Sequence, residues 1–170
     1  MAKIKTSLVL ALTLVAVAGC AKKAPKDLPP PPAEQPVTPP ATTDDSDTPA
    51  GPLNEQFKRA VASDTIHFAL DQYEIDAEAR GILDSQVAWL SQHPEARITI
   101  EGHCDERGTR EYNLALGDRR ANAAKNYLAA RGIAATRITT ISYGKERPIA
   151  LGSDEASWAQ NRRAVTIVIS

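Results

Sequence analysis

Apolar and polar positions along residues 65–169 switch between a spacing of two and a spacing near 3.6, and the switches mark out the elements. Residues 65–70 (TIHFAL) read as a short strand and residues 71–74 (DQYE) as a polar loop. Residues 77–92 carry Ile82, Leu83, Val87 and Leu90 at helical spacing. Asp76 is placed to cap their first turn, and His93 with Pro94 to stop the last. Residues 97–101 (RITIE) alternate as a half-buried strand does, and residues 102–108 form a glycine-bounded loop. A second helix over residues 111–130 is rich in alanine, with Leu114, Ala121, Ala124 and Leu128 on one stripe and Gly132 as its stop signal. Residues 137–142 (RITTIS) are a third strand, residues 143–161 irregular or weakly helical, and residues 163–169 (RAVTIVI) a β-branched closing strand. The core order β-α-β-α-β-β predicts an α/β (α+β) two-layer sandwich: a mixed four-stranded sheet with the helices on one face.

The chain before this region has a different character. Lys3 and Lys5 precede an apolar run over residues 7–18, too short to span a bilayer comfortably. The run ends in Val17, Ala18, Gly19 and Cys20. Residues 1–19 resemble a bacterial lipoprotein signal, which implies acylation of Cys20; several acyl chains would hold the mature protein on a membrane without spanning it. Ala21 follows, and the sorting pattern of Gram-negative lipoproteins associates Asp at that place with inner-membrane retention. Ala21 therefore implies the periplasmic face of the outer membrane. Residues 20–52 read as the lipidated cysteine and a disordered linker: ten of the twelve prolines fall here, with only Leu28 and Val37 as large apolar residues. In an extended polyproline form the linker reaches on the order of 100 Å. Residues 53–170 are left as one domain, long enough for a single core.

Charge and cysteine content narrow the chemistry. The formal net charge is −1, which offers no basic excess for nucleic acid. Once Cys20 is acylated, Cys104 is the only cysteine remaining, so no intrachain disulfide is expected. His103, Cys104 and Asp105 sit together, which raises a metal-dependent periplasmic hydrolase as an alternative. Three adjacent loop residues rarely converge on one tetrahedral ion, however, and neither HExxH nor CxxC is present. No metal, cofactor or catalytic residue is expected.

The run of residues 102–121, GHCDERGTREYNLALGDRRA, carries the more interesting pair. Asp105 follows the second strand, and Arg120 lies about two and a half turns into the next helix. A strand-loop-helix turn folds the helix back over the sheet, so the two can face a common space. Arg offers a planar fork for a carboxylate, and Asp accepts from an ammonium. Asn113 offers donor and acceptor together. Spacing alone favours an internal salt bridge, or two unrelated ones.

The neighbouring residues change that balance. Asn113, Leu116, Gly117, Arg120, Ala121, Ala124 and Leu128, preceded by Gly102-His103-Cys104-Asp105, resemble the OmpA-like peptidoglycan-binding domain family. In the family's pattern Ser stands at the place of Gly117, Val at that of Ala124, and Thr at that of Cys104. The resemblance runs from about residue 65 to 170 and includes Ser142-Tyr143-Gly144 and Asn161-Arg162-Arg163-Ala164-Val165. It implies strand order 1-4-2-3 and non-covalent binding of peptidoglycan stems containing meso-diaminopimelate. Asp105 would take the side-chain ammonium and Arg120 the carboxylate, with Asn113, Leu116 and the loop around Asp71 lining the pocket. With the acylation signal, the family also implies the Tol system as partner, through TolB and TolA. Arg119 would point elsewhere, since adjacent helix positions diverge by about 100°. Asn161, Arg162 and Arg163 open the last strand. Their plain reading is salt bridging to acids such as Asp105 or Glu101; the rival is a partner surface.

Overall fold

The computed structural model describes residues 51–169. The signal over residues 1–19, Cys20 and the linker through residue 50 lie outside them. The described chain runs α1 (Pro52–Ala60), β1 (Thr65–His67), α2 (Ala77–Gln92), β2 (Ile98–His103), α3 (Arg110–Ala130), a 3-10 turn (Ala135–Arg137), β3 (Ile138–Gly144), α4 (Glu155–Asn161) and β4 (Arg163–Val168). The sheet order is β1-β4-β2-β3. Strands β2 and β3 are parallel, and β4 is antiparallel to both β1 and β2. The sheet is therefore mixed and four-stranded, as expected, and its order is the one the family resemblance implies.

The strongest local signals fall where expected. Asp76 caps α2, accepting from Ala79 N–H at 2.8 Å. Gly132, with φ +96°, ends α3: its N–H donates to Ala129 and that of Ile133 to Leu128, at 3.0 and 3.2 Å. That pairing closes the last carbonyls of the helix through a residue in the left-handed region, which glycine enters without strain. One core unites the layers: Leu83 and Leu90 of α2, Ala121, Ala124 and Leu128 of α3, and Ile66, Ile98, Ile100, Ala164 and Val168 of the sheet.

Several boundaries differ from expectation. Helix α1 went unread, and it begins at Pro52, inside the expected linker. A helix of nine residues does not stand alone in water. Phe57 secures it: the ring is fully buried and meets Trp89 edge-on at 5.1 Å. Such burial contributes roughly 2–3 kcal/mol. Helix α4 is a short helix within the stretch expected to be irregular or weakly helical, capped by Asp154, which accepts from Ser157 N–H at 2.9 Å. Strand β1 stops at His67, leaving Leu70 half exposed. Strand β2 runs on through Gly102 and His103, which the sequence pattern places in the loop.

That last correction has a packing cause. A Cβ on Gly102 would overlap the carbonyl of Gly117, and one on Gly117 would overlap Ser142 Oγ. The two glycines let α3 lie directly on β2, so the strand is covered there by helix backbone instead of a side chain. No apolar alternation marks such a position in the sequence. The loop that remains, residues 104–109, is short and held at both ends.

Candidate functional site

A cavity of about 340 Å³ opens beyond the C-terminal end of β2. The β1–α2 loop contributes Leu70 and Asp71, the β2–α3 loop Asp105 and Arg107, helix α3 Asn113, Leu116 and Arg120, and the junction of α4 and β4 Arg162. All five residues expected at the site, Asp105, Arg120, Asn113, Leu116 and Asp71, are on its wall. The chain delivers them from widely separated positions.

Asp105 and Arg120 do not pair with each other. Asp105 is 5% exposed. Its Oδ1 accepts from the Arg107 backbone N–H and from Arg107 Nε, both at 3.1 Å. Its Oδ2 accepts from Arg107 Nη2 at 2.6 Å and more distantly from Arg162 Nη1 at 3.5 Å. Burial pushes this carboxyl up, but the bonds from Arg107 and Arg162 outweigh burial and hold it below the usual carboxylate range.

Arg120 is fully buried, and its guanidinium serves the backbone. Nε donates to Gln72 O at 2.9 Å, Nη1 to His103 O at 2.8 Å and Nη2 to Ala69 O at 3.2 Å. These bonds tie the β1–α2 loop and the end of β2 to α3. Each terminal nitrogen carries a second N–H besides the one so used, and the guanidinium also hydrogen-bonds the Cys104 side chain. Among the described residues no carboxylate forms an ion pair with Arg120. Burial lowers its pKa from the ordinary value, against the opposing pull of Cys104 and Asp105.

The other wall residues set the loops. Asn113 Nδ2 donates to Arg107 O at 2.7 Å and Thr109 O at 3.0 Å, closing the β2–α3 loop onto the first turn of α3. Thr109 caps that helix, accepting from Tyr112 N–H at 3.2 Å. Gly108, with φ +85°, makes the turn between them. Leu116 supplies a buried apolar patch. Asp71 is exposed, with φ 55°, and its Oδ1 accepts from the Tyr112 hydroxyl at 3.2 Å. Asp71 is the described non-glycine residue with positive φ, and Asp tolerates that region better than most.

His103, Cys104 and Asp105 point apart, as adjacent residues of an extended segment do. The buried His103 ring stacks on Tyr143 at 5.5 Å, and only its backbone carbonyl reaches the site. Its Nε2 lies 3.4 Å from Glu101 Oε2 without hydrogen-bond geometry. Cys104 Sγ donates to Asn113 O at 3.3 Å, and burial pushes its thiol pKa up, away from thiolate character. Among the described residues no group of three His, Cys, Asp or Glu side chains is placed to hold a metal ion.

Sequence reasoning missed Arg107 and, while pairing Arg162 with acids such as Asp105, did not place it on the cavity wall. Arg107 stacks over Trp158 of α4 at 4.0 Å while it binds Asp105. Its place two residues after Asp105 was the available signal. Arg162 is buried, donating to Phe68 O at 3.0 Å and Glu155 Oε1 at 2.7 Å besides Asp105. The salt-bridge reading of Arg162 thus holds for Asp105. Arg163 instead donates to the backbone carbonyls of Asn161 and Arg147. Arg119 is exposed and lies 5.6 Å from the Tyr73 ring, pointing elsewhere as expected.

The cavity thus offers two carboxylates, three guanidinium groups and an apolar patch, a set suited to a small zwitterion. Known proteins resemble this chain in sequence and in fold. The OmpA family's sequence profile matches residues 67–162. A peptidoglycan-associated lipoprotein of Rhizobium meliloti (strain 1021) is 48% identical over 159 residues, covering 94% of this chain and 84% of the relative. The crystal structure of the peptidoglycan-associated lipoprotein from Burkholderia pseudomallei superposes with a TM-score of 0.62 at 44% identity, over 64% of this chain and 92% of that one. The C-terminal domain of Helicobacter pylori MotB shares the fold at 18% identity, with a TM-score of 0.59, over 63% of this chain and 84% of that domain.

Proposed function

This chain belongs to the OmpA family, and from that membership we propose that it binds peptidoglycan non-covalently and tethers the outer membrane to the cell wall. The ligand is the meso-diaminopimelate of a stem peptide. Its side-chain ammonium goes to Asp105 and its carboxylate to the remaining N–H groups of Arg120. Asn113, Leu116 and Asp71 line the pocket. Acyl chains on Cys20 hold the outer membrane at its periplasmic face, and the proline-rich segment spans the gap. The protein works within the Tol system, with TolB and TolA as partners, in keeping the envelope intact and in constricting the outer membrane at division. It is a binding module, with no chemical step.

One observation carries this reading: residues brought from loops and helix far apart in sequence line one cavity holding both signs of charge. A lysine-type stem offers the ammonium without the adjoining carboxylate. It leaves desolvated Arg120 donors unmet, at a cost of roughly 1–3 kcal/mol, or about five- to 150-fold in affinity. The test is retention of the full chain on purified sacculi, with free meso-diaminopimelate or lysine as competitor. Asp105→Asn should lose retention, and diaminopimelate should displace the wild type where lysine does not. Equal retention of Asp105→Asn, or equal competition by lysine, would sink the assignment. Arg120→Ala is the poorer probe, because it also removes the bonds that hold the β1–α2 loop.

A further inference from the structure

Arg107 stands where the ligand's cation has to go. A carboxylate has roughly four lone-pair sites, and those of Asp105 are all answered: Oδ1 by the Arg107 backbone N–H and Nε, Oδ2 by Arg107 Nη2 and Arg162 Nη1. Two of these donors are fixed. The backbone N–H belongs to the turn of the loop itself. Arg162 is buried, with its other donors on Phe68 O and Glu155. The other two come from the side chain of Arg107, which is 35% exposed. An incoming ammonium can reach Asp105 only by taking their place.

The surroundings give the displaced guanidinium somewhere to stay. Arg107 already lies over the Trp158 ring at 4.0 Å, a contact that does not depend on Asp105. Glu155, one turn away on α4, already acts on the charge of Arg107 and is largely exposed. Rotation of the side chain about the Trp158 ring toward Glu155 would uncover Asp105 while keeping the cation paired. The loop backbone need not move, since Asn113 and Lys145 hold its carbonyls independently of Arg107's guanidinium.

We propose that Arg107 is an internal competitor for the ligand's ammonium, a gate that occupies Asp105 in the unliganded protein and swings aside along Trp158 when the wall binds. The proposal rests on the reading of Asp105 as the ammonium's partner. It sets an affinity threshold that every ligand must clear. Exchange of one cation for another at Asp105 leaves the local charge unchanged, so an amine alone gains little. A ligand that also brings a carboxylate to Arg120 makes a net gain. The gate therefore lowers the apparent affinity for every ligand by the fraction of time it is closed, and simple amines fall below useful binding first.

Calorimetric titration of the full chain with a soluble stem tripeptide carrying meso-diaminopimelate tests this directly. Ion pairs at this degree of exposure are weak, so Arg107→Ala should bind about two- to fivefold tighter than wild type. Unchanged or weaker binding by Arg107→Ala would overturn the gate, because Arg107 would then be a mere support for Asp105. Asp105→Asn runs alongside: if it binds as wild type does, the site assignment itself is wrong, whatever Arg107 does. In the wild type, the Arg107 Nε–H resonance should shift as the tripeptide saturates the site. A resonance unmoved at saturation would refute the displacement even if the variant bound more tightly.

Discussion

Replacing Arg120 by methionine keeps an unbranched apolar stem and removes the three hydrogen bonds of the guanidinium to backbone carbonyls. The three acceptors are not equivalent. Ala69 and Gln72 lie in an exposed loop, where water can take over from the guanidinium. His103 is 1% exposed, and its carbonyl has no such recourse. The unmet carbonyl costs about 1–3 kcal/mol, and the loop bonds about 1 kcal/mol more between them. Against this, the variant no longer buries an ion. The net loss is about 2–3 kcal/mol, and with a urea slope near 1.5 kcal/mol/M the midpoint should fall by about 1–2 M. Tryptophan fluorescence from Trp89 and Trp158 follows the melt. Hydrogen exchange should show the damage concentrated in residues 68–76, where protection falls more than in α2 or β2. A midpoint within about 0.3 M of wild type, with that loop still protected, would refute the assignment of Arg120 as the strut of the β1–α2 loop.

Three further outcomes follow from the packing and the charges. Gly102→Ala places a methyl group against the Gly117 carbonyl, so helix and strand must part; a loss of about 1–3 kcal/mol is expected in the same urea assay, and a neutral result would contradict the close approach. Burial pushes the pKa of His103 below the ordinary value. A depressed histidine contributes stability that is whole above about pH 6.5 and is lost as pH falls toward its folded value. The urea midpoint should therefore drop between pH 7.5 and pH 5.5, and His103→Phe, which keeps the stack on Tyr143, should flatten that drop. Asp105, also depressed, behaves as carboxylates do: its contribution is present above about pH 4 and disappears as pH falls through the lower folded value. Asp105→Asn should accordingly be less stable than wild type at pH 6, with the gap closing below pH 4 in circular-dichroism melts.

Local chemistry was legible wherever a residue acts on its own neighbours. Asp76 caps α2 because a carboxylate accepts from an N–H three residues ahead. Gly132 ends α3 because the left-handed turn needs no partner from elsewhere. Elements that depend on distant partners were harder to see. Helix α1 shows few large apolar residues, and Phe57 has meaning only against Trp89. The extension of β2 through Gly102 and His103 has no periodic signal, because Gly117 covers it with backbone.

The candidate site divides in the same way. The sequence by itself determined the inventory of the cavity wall: Asp105 at a strand end, Asn113, Leu116 and Arg120 on one helix, Asp71 in a polar loop. The strand-loop-helix order brought Asp105, Asn113 and Arg120 near one end of the sheet, while Leu116 and Asp71 came only from the family resemblance. Only the tertiary structure decided which charge meets which. Arg120 turns to the carbonyls at residues 69, 72 and 103, while Asp105 takes Arg107 and, across the whole domain, Arg162. Hydrogen bonds and ion pairs are short-ranged and directional. Their partners are therefore set by distances of a few ångströms between segments that sequence order leaves dozens of residues apart.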